Sequence, residues 1–461
     1  MWLATALALL LFQSPPLEKN RAIDLAGIGF RAGNYVEAQR HIRKVLRSEP
    51  GDAYANDFLA TTYLLQDNPE AALKYWNRIG APRIADVRTE PEVPVNPILW
   101  DRAFAFSPAA ALSLTDFEDT KARVDSLGVL ARYRFEFVPV GAAGEDFDIV
   151  VRTLPAKPFD DWPGAIVALA RGLPYQTIQY DLRNIQSAGL NVSTLARWDS
   201  QKRRLWLQAS GPIHRDPRHR VEVSLDARNE VWDTGAEQFR LRKTEAAVNI
   251  RSQPNARWSW ASGVRASSRA SGKLGDRNGF LLTYEASVRR RILSLPERRL
   301  SVSTSAGFEF GKQFDRTTAT AVLEWLPRPV GGDYKSTVSI QAGRAAGVVP
   351  FDEYFALGLD RDHEYLLRGH RGIRDGRKGA GPIGREFLLA NLDVQKNLFN
   401  RGFFKASAGP FLDVARLRRS EPTSVDAGIQ LRVSLVSGLA LDFSYGVNLH
   451  THLGAFFYRS R

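Results

Sequence analysis

The stretch Leu300-Ser301-Val302-Ser303-Thr304-Ser305-Ala306-Gly307-Phe308-Glu309-Phe310 decides the fold. Leu300, Val302, Thr304, Ala306, Phe308 and Phe310 alternate with Ser301, Ser303, Ser305, Gly307 and Glu309. Successive side chains of a β-strand point to opposite faces, so this segment reads as a strand with one apolar face and one small, polar face. The split recurs downstream, with Ile429, Leu431, Val433 and Leu435 against Gln430, Arg432 and Ser434. It recurs again with Leu439, Leu441, Phe443, Tyr445 and Val447 against Ala440, Asp442, Ser444 and Gly446. From Tyr175 onward the chain keeps this texture, in strands of about 8–12 residues separated by polar, glycine-containing turns. A soluble sandwich also alternates, but it feeds its apolar face from two sheets and turns its polar face to water. Here the polar face is rich in Ser, Gly, Thr and single charges, as the lining of a crowded wet lumen would be. The expectation is an all-β transmembrane barrel over residues 175–461 with about sixteen antiparallel strands, roughly eleven before a long segment at 348–385 and five after it.

Composition bounds the alternatives. The chain has 461 residues, 44% apolar and 25% charged, and its only uninterrupted apolar run is residues 1–12. A membrane-spanning helix needs about 20 such residues, whereas a barrel keeps a modest average hydropathy because its faces alternate. Residues 1–14 read as a secretory signal peptide, in which the apolar run to Phe12 is followed by Gln13-Ser14-Pro15-Pro16 at the cleavage region. No Lys or Arg precedes that run and no clean small-x-small triplet follows it, and a buried first helix is the other reading. Cysteine is absent, which excludes disulfides, thiolate metal sites and a cysteine nucleophile.

The net charge of +13 invites a nucleic-acid reading. The basic residues are scattered instead, at Arg203-Arg204, Arg289-Arg290-Arg291, Arg298-Arg299 and Arg418-Arg419, where strand ends of a barrel would meet anionic head groups. Nucleic acid is therefore not expected as a partner. The sequence contains no Gly-x-Ser-x-Gly elbow, no Gly-x-x-x-x-Gly-Lys loop and no His-Glu-x-x-His, so no enzyme and no cofactor are expected. His450 and His452 share a strand or turn face but lack a third ligand, so no metal site is expected either.

Two smaller regions precede the strands. Residues 21–83 are helical and repeat: Gly33-Asn34-Tyr35-Val36-Glu37-Ala38 is answered 34 residues later by Asp67-Asn68-Pro69-Glu70-Ala71-Ala72. This resembles a pair of tetratricopeptide repeats and is equally a pair of helical hairpins that pack on a neighbour. Residues 90–97 carry three prolines and read as a linker. Residues 99–155 then show a strand at Ala103-Phe104-Ala105-Phe106, a helix at 117–127 and alternating strands at 133–140 and 147–152. That order resembles one polypeptide-transport-associated (POTRA) module, although a generic small α+β domain gives the same pattern.

The long segment contains Tyr365-Leu366-Leu367-Arg368-Gly369-His370. Leu367-Arg368-Gly369-His370 resembles the Arg-Gly-aromatic motif in the inward-folded loop of the BamA/TamA outer-membrane assembly superfamily, with His370 where Phe or Tyr is usual. In that family the arginine pairs with acidic residues of the inner barrel wall. The strand 387–397 puts Asn391 and Asp393 on the polar face, and Gly409-Pro410-Phe411-Leu412-Asp413-Val414 is similar to the family's glycine-to-aspartate strand. The resemblance thus implies Asp393 and Asp413 as inner-wall partners of Arg368. Phe456-Phe457-Tyr458 would be the terminal aromatic signal of an outer-membrane protein, displaced by three residues.

The function so implied is assembly, insertion or translocation of proteins at the bacterial outer membrane by lateral strand templating, without covalent chemistry. The alternative is a passive or gated transport pore of the two-partner secretion type, and a third reading is a structural barrel that anchors the repeats. The implied partners are outer-membrane lipid, unfolded or secreted client proteins, and periplasmic or lipoprotein partners of the two N-terminal regions, which would lie in the periplasm.

Overall fold

A computed structural model describes residues 16–141, 146–155, 176–199, 202–273, 278–327, 334–360, 365–375, 377–401, 404–417, 422–435 and 440–460. The expected signal peptide lies outside these residues, as does the expected barrel start at Tyr175. The chain forms two compact units, one of residues 1–88, 106–118 and 135–150, the other of residues 89–105, 119–134 and 151–461.

The first unit opens with four helices, α1 (Pro16–Arg31), α2 (Tyr35–Ser48), α3 (Ala53–Leu65) and α4 (Pro69–Trp76). The 34-residue spacing is visible in their geometry. Gly33 and Asp67 both take a left-handed backbone (φ 72° and 54°). The next residue in each case, Asn34 or Asn68, caps the following helix by accepting a hydrogen bond from the backbone N–H of Glu37 or Ala71. Ala38, Ile42, Leu59, Ala60, Ala71 and Leu73 are buried and build the core between the helices.

The chain continues with β1 (Arg83–Glu90), α5 (Pro97–Asp101), α6 (Leu114–Leu127), β2 (Leu130–Val140) and β3 (Asp146–Pro155), and the three strands make one sheet in the order β1-β3-β2. The expected strand at 103–106 is not formed. Asn96 caps α5 and Pro97 starts it, so residues 103–106 are spent leaving that short helix, with the Ala103 and Phe104 N–H groups bonded to Trp100 O and Asp101 O. The first strand is instead Arg83–Glu90, immediately before the segment read as a linker. In the first unit Phe117 packs against Phe135 and Phe137, and Trp76 against Phe137 and Phe147.

The second unit is dominated by antiparallel strands: β4 (Thr177–Ile185), β5 (Leu190–Trp198), β6 (Lys202–Ile213), β7 (Asp216–Asp233), β8 (Gln238–Ser252), β9 (Trp258–Ser271), β10 (Gly279–Leu295), β11 (Leu300–Gly311), β12 (Phe314–Trp325), β13 (Tyr334–Gly347), β14 (Glu386–Arg401), β15 (Phe404–Arg416), β16 (Ser424–Leu435), β17 (Ala440–Asn448) and β18 (Gly454–Ser460). Ten long strands precede the segment 348–385 and five follow it, so the expected eleventh before it is not met among the described residues. Two-residue strands inside that segment bring the sheet to seventeen members.

The faces follow the alternation. Across β7 to β11, Val223, Val248, Val264, Tyr284 and Phe310 stand in register as one row, and each is 43–48% exposed. A water-soluble sheet would bury such a row, since large contiguous apolar patches on soluble monomers are rare. In β11, Phe308 and Phe310 stand on the outer face, while Glu309 between them turns the other way to meet Arg265 at 2.7 Å and Arg316 at 3.1 Å.

At one end of the sheet the tight turns are tied to residues 89–105 and 119–134. Asn96 N–H donates to Ser187 O, Asn191 Nδ2 to Leu127 O, Arg102 Nη1 to His214 O, and Ala256 N–H to Asp119 Oδ1, at 2.7–2.9 Å. Leu99 occupies the space beside Gly189, whose φ of 69° and close neighbour leave no room for a Cβ.

Candidate functional site

The described residues of the segment 348–385 fold against the polar face of the sheet, and their contacts are charged at one level and apolar at another. Phe355, Leu357 and Leu367 are at most 1% exposed and pack with Phe387 and Leu389 from β14. Phe351 packs edge-on against Trp232 and Phe239 of β7 and β8. Burying these side chains, each worth about 1.5–3 kcal/mol, holds the loop inward before any ion pair is counted.

Arg368 lies over β14 to β16. Its Nε and Nη2 donate to the two carboxylate oxygens of Asp413 at 2.9 and 2.5 Å, and its backbone N–H donates to Asp413 Oδ2 at 2.9 Å. Nη1 donates to Asp393 Oδ1 at 2.6 Å and to Gln430 Oε1 at 3.1 Å. The guanidinium stacks 3.7 Å from the ring centre of Phe411. The Asp413 side chain is fully buried, so its charge is supported by Arg368 and by Asn391 Nδ2 at 2.7 Å rather than by water. This is the fork-on-carboxylate geometry that gives an ion pair a fixed direction as well as strength.

The remainder of the motif uses a residue that the sequence reading did not single out. Gly369 N–H donates to Asp426 Oδ2 at 2.5 Å, and His370 Nδ1 lies 3.0 Å from the same oxygen. Asn448 Nδ2 donates to Asp426 Oδ1 at 2.9 Å. His370 therefore acts through a hydrogen bond that Phe could not make. Asp413 and Asp426 are direct partners across β15 and β16, with Asn391 and Asn448 flanking them in register. The alternation that placed Gln430 and Arg432 on the polar face of β16 reaches Asp426 when extended four residues back, which is the signal that would have found it.

Glycines let the loop backbone come this close. A Cβ at Gly369 would sit 2.6 Å from the Asp426 carboxyl carbon, and one at Gly446 would overlap the Arg368 carbonyl oxygen.

Over strands β5 to β9 the signs reverse. Glu353 Oε1 lies 2.7 Å from Lys243 Nζ and 2.8 Å from Arg269 Nη2, and Asp352 Oδ2 lies 3.3 Å from both cations. Asp360 pairs with Arg197 at 3.5 Å and Lys202 at 3.9 Å, and Lys378 meets Glu230 at 3.3 Å. Arg265 gathers Glu245, Glu285 and Glu309 within 3.6 Å. Sequence reasoning missed this second set because no motif marks it. Asp352, Glu353 and Asp360 are ordinary loop acids until their partners are known.

His450 and His452 fall in the turn between β17 and β18, and no cluster of three metal-ligating side chains occurs among the described residues. No described helix is long and apolar enough to cross a membrane.

No protein-family model matches the sequence, and no curated protein matches it. Solved structures do. CdiB from Escherichia coli aligns over 83% of this chain and 76% of its own, with 14% identity and a TM-score of 0.53. CdiB from Acinetobacter baumannii aligns over 91% of this chain and 83% of its own, with 11% identity and a TM-score of 0.50. BamA from Haemophilus ducreyi lacking POTRA domains 1–3 aligns over 82% and 83%, with 12% identity and a TM-score of 0.46. With the antiparallel sheet and its inward loop in place, the likeness to the two CdiB structures is one of fold: this chain carries the kind of β-barrel architecture that they do.

Proposed function

We propose that this chain is an outer-membrane barrel that inserts or passes polypeptide clients, and that it does so by lateral strand addition with its lumen loop left in place. The observation that carries the reading is the double anchorage of the loop, with Arg368 on Asp393 and Asp413 at one wall and Asp352, Glu353 and Asp360 on Lys243, Arg269 and Arg197 at the other. Emptying the lumen would break both sets at once, and each buried pair that loses a partner leaves a charge unneutralised at a cost of about 3–5 kcal/mol. An incoming strand instead needs only exposed backbone N–H and C=O groups at a sheet edge. Closure into a barrel is part of this proposal; the strand order that returns from β18 to β4 supports it, as do the exposed apolar rows facing outward.

The β-α-α-β-β order of residues 83–155, with sheet order β1-β3-β2, supports a POTRA-like reading of that region. The matched caps at Asn34 and Asn68 support a tetratricopeptide-like reading of the helices. Both would be periplasmic. The second reading, a transport pore of the two-partner secretion type, is favoured by the fold likeness to CdiB.

One experiment separates them. The chain has no cysteine, so Glu353→Cys with Arg269→Cys can be bridged by a short bis-maleimide at a single place. The bridged protein, reconstituted in vesicles, is expected to insert an unfolded client barrel as fast as its unbridged form. Loss of client handling on bridging, restored by a cleavable linker, would end the lateral reading and leave the pore. Faster gel migration of the unboiled protein tests barrel formation independently.

A further inference from the structure

In the first unit, the second helices of the two hairpins, α2 and α4, border a pocket of about 360 Å³ lined by Arg40, Arg43, Leu46, Arg47, Tyr75 and Arg78. Arg40, Arg43 and Arg47 recur at spacings of three and four along α2, so they share one helix face. Arg78 comes from the 3-10 turn that follows α4. None of the four forms an ion pair among the described residues; the acids close by in sequence are otherwise engaged, Glu49 and Asp52 with Lys19 and Glu37 with His41.

Aromatic side chains hold two of these cations in place of carboxylates. Tyr63 and Tyr75 stack at 5.7 Å with their planes within 7°. Arg43 donates to the Tyr63 hydroxyl, and the Arg78 guanidinium lies 4.9 Å over the Tyr75 ring. Four guanidinium groups at one hollow repel one another, and an anionic ligand would relieve that repulsion. Their planar forks suit carboxylates in a two-toothed manner. The hollow includes Leu46 in its lining and is near the lower end of the range of about 300–1,000 Å³ for ligand pockets, which suits a few side chains.

We propose that this pocket docks an acidic segment of a partner protein, taking its Asp or Glu carboxylates between α2 and α4. The docking face is the one formed by the second helices of the hairpins.

The test uses the whole protein in detergent and a fluorescent glutamate-rich peptide, with the matching glutamine peptide as reference. Binding of the glutamate peptide is expected to weaken about tenfold or more, about 1.4 kcal/mol, in Arg40→Gln with Arg47→Gln and separately in Arg78→Gln. Arg31→Gln, outside the pocket, is expected to leave it within about twofold. Arg78→Lys keeps the charge and loses the fork, and an intermediate loss is expected; unchanged helical circular dichroism establishes that each variant is folded. Equal binding of the glutamine peptide, or insensitivity to the arginine changes in folded variants, would overturn the proposal. So would displacement of the peptide by phosphatidylglycerol vesicles with phosphatidylcholine vesicles inert, which would make the pocket a lipid site. None of these outcomes depends on the barrel's mode of action.

Discussion

Strands β5 to β9 give the polar face of the sheet Arg197, Lys202, Lys243, Arg265 and Arg269, and the loop answers with Asp352, Glu353 and Asp360. Strands β14 to β16 give Asp393, Asp413 and Asp426, and the loop answers with Arg368, the Gly369 N–H and His370. The two walls hold one loop by opposite charges and with different redundancy. On the acidic side a single guanidinium serves two carboxylates. On the basic side two adjacent carboxylates serve Lys243 and Arg269 together. A loop so charged can dock in one orientation only, because turning it end for end would place like charges together.

The largest expected effect follows from the lack of redundancy. Arg368→Ala leaves Asp413 buried with its charge unanswered and should destabilise the docked loop by about 3–5 kcal/mol, read as rapid protease cleavage within 348–385 in an otherwise intact barrel. Glu353→Gln should weaken docking less, by about 1.5–3 kcal/mol, because Asp352 remains 3.3 Å from both cations. If the two variants were equally cleavable, the contrast in redundancy would be wrong. Combining Glu353→Gln with Asp352→Asn should cost more than the sum of the single changes, since each acid covers for the other.

Gly446→Ala sharpens the comparison from the backbone side. Its Cβ would press on the Arg368 carbonyl, for an overpacking penalty of about 1–3 kcal/mol, and the loop should loosen without loss of any charge. Pulse proteolysis against denaturant would measure it.

The smallest effect is at a partly exposed cluster of three residues that serves as the control. Lys19 bonds Glu49 and Asp52, each at 2.6 Å. Hydrogen bonding from Lys19 holds the Asp52 carboxyl below its ordinary range, opposed by partial burial and assisted by the Ala55 N–H. Because the folded value is the lower one, the contribution is present above the unfolded carboxylate pKa of about 3.9 and is lost as pH falls through the folded value. The amine of Lys19 is raised, chiefly by its bonds to Asp52 and Glu49, so its share is lost only as pH rises through the raised value. Acid should therefore loosen α1 from α3, measurable as loss of helical signal that Asp52→Asn removes. Added salt should weaken this cluster and leave Arg368 with Asp413 nearly untouched.

How much of this could be read in the sequence differs by scale. Two-residue alternation is a local property, so β11 and β16 were legible residue by residue, and with them the polar faces that hold Glu309 and Gln430. Arg368 and Gly369 were legible through a motif. Asp352 and Asp360 were not, because an acid in a loop acquires meaning only from a basic residue more than a hundred positions away. Asp426 lay on an alternation already recognised and needed only its extension. The first strand of the small sheet was missed for the opposite reason: Pro91, which ends Arg83–Glu90, read as part of a linker when it in fact marks the strand's end.

The loop's anchors also carry a message about order of assembly. Its basic-wall partners all precede it in the chain and its acidic-wall partners all follow it, so full docking requires strands made both before and after the loop itself. Such long-range pairing closes late, after the loop-closure entropy of both halves has been met. A chain that lacks β15 and β16 can offer the loop its first set of anchors and, of the second, only Asp393. The docked loop is thus a progress mark, set only when β14 to β16 have arrived.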